Sequence, residues 1–149
     1  MNTLRRLSLL SPNERRLLIK AALLLVTIRL GTLLLPFTTV KRLLARFSSP
    51  PARLSQEEAH RIPAERVSWA VQVASRYTPK ERSCLTEALT AQLLLTRRGY
   101  PALLHIGVAR GEWGTFQAHA WVESGGKILT GEPGHERFAP LAVLKGEDF

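Results

Sequence analysis

One cysteine, Cys84, and one methionine are all the sulfur that this 149-residue chain carries. A lone cysteine excludes an intramolecular disulfide framework and any multi-cysteine zinc site, and it suits a reducing, cytoplasmic compartment. No His/Asp/Glu cluster has metal-ligand spacing, so neither a metal nor another cofactor is expected. Long apolar runs are missing too. No stretch without Lys, Arg, Asp or Glu exceeds eleven residues, the length of Leu30–Val40, which includes Gly31 and Pro36, whereas a membrane span takes about 20. A signal peptide also fits poorly, because no small-x-small cleavage site follows the apolar region.

Acidic residues are scarce where basic ones are dense. Residues 1–53 hold ten Lys/Arg against Glu14 alone, a net of +9, while residues 54–149 hold eleven of each sign. The length suits one domain with an appendage, and the charge divides the chain at that point. Residues 1–53 form a basic Leu/Arg-rich helical region, and residues 54–149 form the domain proper.

The basic region reads as helices. Ser11-Pro12-Asn13-Glu14 is a start signal, with Ser11 as N-cap, Pro12 at the first helical position and Glu14 closing a capping box. Leu17, Leu18, Ala21, Leu24, Leu25 and Ile28 then recur at helical spacing until Gly31 and Pro36. A shorter helix is expected over Thr38–Phe47, with Val40, Leu43 and Leu44 on one side, and Ser48-Ser49-Pro50-Pro51 reads as a linker. Three uses of this region stay open: a basic surface lying on an anionic membrane, a docking surface for a partner, or helices packed on their own domain.

Beyond it, Ser55-Gln56-Glu57-Glu58 opens a short helix, Ala64–Tyr77 carries a stripe of Val67, Ala70, Val71 and Ala74, and Ser83 caps a helix over Cys84–Arg98. That helix has Leu85, Ala88, Leu89, Gln92 and Leu95 on its apolar face. After Pro101 the period falls to two, and strands are expected over Leu103–Ala109, Thr115–Glu123, Lys127–Thr130 and Ala142–Leu144. Helices followed by an antiparallel meander make an α+β fold.

The chemistry lies where these patterns meet. Cys84 at a helix start lies in the positive end of the helix dipole, with Arg82 nearby, and both favour thiolate over thiol. In the second strand Gln117, His119, Trp121 and Glu123 share one face. Phe116, Ala118, Ala120 and Val122 share the other and read as a core stripe. A thiolate can attack a carbonyl and a histidine can protonate the leaving amine. A buried, inert cysteine has almost equal weight on residues alone. His105 reads as a satisfied core histidine, and His60 and His135 as loop residues. Gln72 and Gln117 are candidate donors to an oxyanion, beside the backbone N–H of Cys84.

Several motifs together resemble a known family. Arg82-Ser83-Cys84-Leu85-Thr86-Glu87-Ala88-Leu89 is followed by Leu94-Leu95-Thr96-Arg97-Arg98-Gly99-Tyr100-Pro101 and Leu104-His105-Ile106-Gly107-Val108. Ala118-His119-Ala120-Trp121-Val122-Glu123 and Arg137-Phe138-Ala139-Pro140-Leu141 complete the set. It is similar to the transglutaminase-like cysteine peptidases of lasso-peptide biosynthesis, the B-type leader peptidases. The resemblance implies a papain/transglutaminase-like core, with Cys84 as nucleophile and His119 as base, that removes the leader from a ribosomally made precursor. It also implies two partners, a RiPP recognition element protein that holds the leader and an asparagine-synthetase-like cyclase that closes the ring. Residues 1–53 would dock one of these.

The sequence departs from the family pattern at the third catalytic member. An Asp is usual about a dozen residues after the histidine, and Lys127-Ile128-Leu129-Thr130-Gly131-Glu132 contains none. Glu132 is the nearest carboxylate and the candidate orienter; a dyad held by a backbone carbonyl is the alternative. Glu123, four residues along the strand from His119, is too far to orient it and reads with Trp121 and Gln117 as a substrate contact. Two other classes remain: a non-catalytic peptide-binding module on the same fold, and a basic protein binding membrane surfaces or nucleic acid. Against nucleic acid, the basic residues alternate with leucines and no recognised motif appears.

Overall fold

The computed structural model describes residues 9–49, 61–78, 83–131 and 134–146. The expected helix at Ser55, Pro50-Pro51 of the linker, His60, Arg82 and Glu132 lie outside them. Among the described residues four helices come first: α1 (Pro12–Leu34), α2 (Phe37–Ser48), α3 (Ala64–Ser75) and α4 (Ser83–Thr96). Four strands follow: β1 (Leu103–Arg110), β2 (Phe116–Ser124), β3 (Lys127–Thr130) and β4 (Ala139–Lys145). They form one antiparallel sheet in the order β3-β2-β1-β4. The α+β reading holds.

The α1 start matches its motif. Ser11 Oγ accepts from the Glu14 backbone N–H, and the Glu14 carboxylate accepts from the Ser11 backbone N–H at 2.9 Å. The bond from the Ser11 backbone N–H, followed by one that the Ser11 hydroxyl donates to the same carboxylate at 2.9 Å, holds the Glu14 carboxyl below its ordinary value, and Arg66 of α3 adds an ion pair at 2.9 Å. From there α1 buries Leu17, Ala21, Leu25 and Ile28 against α3 and α4. These residues belong to the same hydrophobic cluster as Leu104, Ala120 and Val122 of the sheet. The core is therefore continuous from the basic region to the strands.

Helix α4 lies at the centre of the molecule. Ala88, Leu89, Ala91, Leu93, Leu94 and Leu95 are all buried, as are Thr86, Thr90 and Gln92. The single apolar face read from the sequence is thus an underestimate, because the sheet covers one side of α4 and α1 and α3 cover the other. Gln92 is fully buried, and its side-chain amide donates to the carbonyls of Ala102 at 3.1 Å and Leu144 at 2.8 Å. One side chain thereby ties α4 to the start of β1 and the end of β4. On the other flank Gln72 Nε2 donates to Leu129 O at 3.0 Å, and the Ser68 hydroxyl donates to the same carbonyl, joining α3 to β3.

Three details correct the sequence reading. In α2 the buried positions are Val40, Leu44 and Ser48, while Leu43 is exposed; the covered arc is rotated toward Ser48. In β2 only Ala120 and Val122 of the expected stripe reach the core, whereas Phe116 and Ala118 are exposed. The opening half of that strand extends past the helices that would cover it. Finally, α1 is long and apolar enough to cross a membrane, with an 18-residue window of mean hydropathy 2.1. A count of charge-free residues misses this by stopping at Lys20 and Arg29, whose long stems can carry their charge to the edge of an apolar layer.

Candidate active site

Cys84 sits in the first turn of α4 and is partly buried. Backbone N–H groups in a first turn have no intrahelical acceptor, so the Cys84 amide points its donor outward beside the thiol. The C-terminal end of α4 lies at the other extreme, where Thr96 packs against Gly146 just after β4. The thiol is therefore at the end of α4 remote from that edge.

His119 is held by several contacts. Its Nε2 lies 2.8 Å from the carbonyl oxygen of Gly131. A carbonyl can only accept, so Nε2 carries the proton and Nδ1 is left as the basic nitrogen in the neutral ring. Trp121 stacks on the imidazole with centroids 6.0 Å apart, and Phe138 lies against it at 5.0 Å. Two glycines make this arrangement fit. Gly107 pairs with His119 across β1 and β2, and a Cβ there would lie 2.8 Å from Phe138 Cβ and 2.9 Å from the Trp121 ring. Gly131 has φ +75°, and a Cβ there would lie 2.8 Å from both Ala120 O and Trp121 Cβ. The left-handed backbone and the close approach both require glycine.

Trp121 itself is 5 % exposed. The sequence suggests a substrate contact, but the indole is covered by His105, His119 and His135, at centroid distances of 5.3, 6.0 and 5.8 Å. A buried ring offers substrate no surface, so Trp121 backs His119 instead. The sheet face opposite the helices thus carries a small aromatic layer closed by the turn at His135–Arg137 and by Phe138. Glu123 Oε2 lies 3.2 Å from Nε2 of His105, within ion-pair reach but without hydrogen-bond alignment. It serves His105 rather than facing solvent alone. Gln72 is committed to Leu129 and Ser68, which removes its amide donor from the oxyanion candidates. Gln117 is exposed near the β1–β2 connection. At the tip of that connection Trp113 is 97 % exposed with φ +62°, and Phe116 at the start of β2 is exposed too. Composition gave no signal for so exposed an indole.

The candidate pair is not closed by a bond. His119 lies on the sheet face opposite Ala120 and Val122, and among the described residues no hydrogen bond joins it to Cys84. Likewise no group of three His, Cys, Asp or Glu residues among them could hold a metal ion.

These features define an α+β protein in which a central helix carries the only thiol and the adjoining sheet carries a carbonyl-held imidazole. The family model of the transglutaminase-like superfamily matches residues 22–143, and the chain belongs to that superfamily. The match starts inside α1 and runs into β4, and the superfamily includes cysteine peptidases. Comparisons with curated proteins and with solved structures return no match.

Proposed function

We propose that the chain is a cysteine peptidase that removes the leader from a ribosomally made lasso-type precursor. A leader-recognition protein and an asparagine-synthetase-like cyclase are its partners. The observation that carries the reading is the bond from His119 to the Gly131 carbonyl, 2.8 Å long, with Trp121 and Phe138 fixing the ring. It orients a strand-borne imidazole with Nδ1 available, in a chain whose family and motifs supply a helix-borne cysteine. In the first half-reaction Nδ1 takes the Cys84 proton and sulfur attacks the scissile carbonyl. The oxyanion is met by the Cys84 backbone N–H, and His119 then protonates the departing amine. Water, deprotonated by the same imidazole, hydrolyses the thioester and frees the leader's carboxylate and the thiol.

The test is cleavage of a leader-bearing precursor from the gene's own neighbourhood, followed by mass spectrometry. Cys84→Ala and His119→Ala are each expected to abolish it, with unchanged circular dichroism and melting. Cleavage that persists in purified Cys84→Ala overturns the assignment. The placement of His119 opposite the α4-covered face favours a second reading, a peptide-binding module without catalysis. In that case the wild type binds precursor and leaves it intact in the presence of both partners.

A further inference from the structure

We infer that the outer face of α1 lies in the surface of an anionic lipid bilayer, with the domain carried beside it. Ile19, Leu23, Val26, Leu30, Leu33 and Leu34 are each more than half exposed. At 100° per residue they fall on the arc opposite the buried Leu17, Ala21, Leu25 and Ile28. The helix is therefore apolar on both sides and covered on only one. The stripe runs for about 22 Å at 1.5 Å per residue, far more than the scattered apolar residues of an ordinary surface.

Two observations choose lipid over protein as its occupant. One is charge. Arg15 borders the stripe on one side and Arg16 and Lys20 on the other, and residues 1–53 contain ten basic residues and one acid. That acid, Glu14, is already paired with Arg66. Basic residues at this density are attracted to anionic headgroups by about 1 kcal/mol each near the surface. The other is the chemistry of the face itself, which is wholly aliphatic. Its border hydroxyl, Thr27, donates to the Leu23 carbonyl at 2.8 Å, so no polar group seeks an outside partner. Hydrocarbon demands such internal satisfaction, whereas protein interfaces draw on Trp, Tyr and Arg anchors and intermolecular hydrogen bonds. The helix lies in the interface rather than across the membrane, because its inner stripe packs along its length on α3 and α4. Spanning would drag exposed Glu65 and Arg66 of α3 into the hydrocarbon. Lipid thus takes the face that the motifs alone would give to a partner protein.

The experiment is co-sedimentation of the purified full chain with phosphatidylcholine vesicles, with and without phosphatidylglycerol. The chain should pellet with the anionic vesicles and stay in solution with the neutral ones, and added salt should lower the bound fraction several-fold. Leu23→Glu with Leu30→Glu should weaken binding about tenfold or more. Arg15→Gln, Arg16→Gln and Lys20→Gln together should weaken it several-fold without touching the apolar stripe. The inference is overturned if the wild type ignores anionic vesicles, binds neutral ones equally, or binds unchanged after the charge substitutions. It is also overturned if light scattering shows a dimer that the double Glu variant separates.

Discussion

At the scale of single residues, the site depends on what Gly131 permits. Gly131→Ala should cost about 1–2 kcal/mol for the left-handed backbone alone, with more from the 2.8 Å approach to β2. The melting temperature should fall, and precursor cleavage should fall further than stability explains, because the carbonyl leaves His119. Glu132→Gln separates the two candidate orienters. Activity within a few-fold of wild type identifies the Gly131 carbonyl, and a loss of about 10²-fold or more identifies the carboxylate. Cys84 and His119 stand out in the sequence as candidates, since a lone thiol and a strand histidine each carry chemistry in their type. The role of Gly131 could not, because a carbonyl acceptor leaves no trace in side-chain identity. The burial of Trp121 is illegible in the sequence for a related reason: alternation names a face, and only the 134–138 segment folding back over that face decides whether it is wet.

Elements are held together by a few buried polar side chains. Gln92→Leu fits the volume but removes the donor from the Ala102 and Leu144 carbonyls, and it should destabilise the fold by about 1–3 kcal/mol in chemical denaturation. A change near zero would mean that α4 is fixed by packing alone. The α1 and α3 starts add an acid sensitivity. Glu14 and Glu65 are both held below the ordinary carboxylate value of 4.5, chiefly by backbone hydrogen bonds, with Arg66 and Lys127 contributing. A depressed folded value means that this stability is complete above the ordinary carboxylate range and is lost as pH falls through the lowered one. Urea midpoints should therefore drop in that acid window, and less so in Glu14→Gln. Helix and strand placement was legible because periods of 3.6 and 2 were clean, and the β3 bounds match the reading outright. The depth of α4 was not legible, since one apolar face can be read from the period, while the cover that α1 and α3 put over its other side buries Ala91, Leu93, Leu94 and Thr90 as well.

For the whole molecule, the continuous core matters most. Leu17, Leu25 and Ile28 of α1 are buried against α3 and α4, and each is worth about 1.5–3 kcal/mol. A chain lacking residues 1–34 should therefore aggregate or lose its cooperative melt, and a normal melt would show that α1 is an appendage. The charge boundary at residue 53 was visible in the sequence, but charge marks a surface and says little about which residues share a core. The central claim is that Cys84 and His119 act together, and alkylation kinetics test it without any substrate. The second-order rate of iodoacetamide with Cys84 at neutral pH should fall about tenfold or more in His119→Ala. Equal rates in the two proteins would contradict the pairing and leave Cys84 a core thiol.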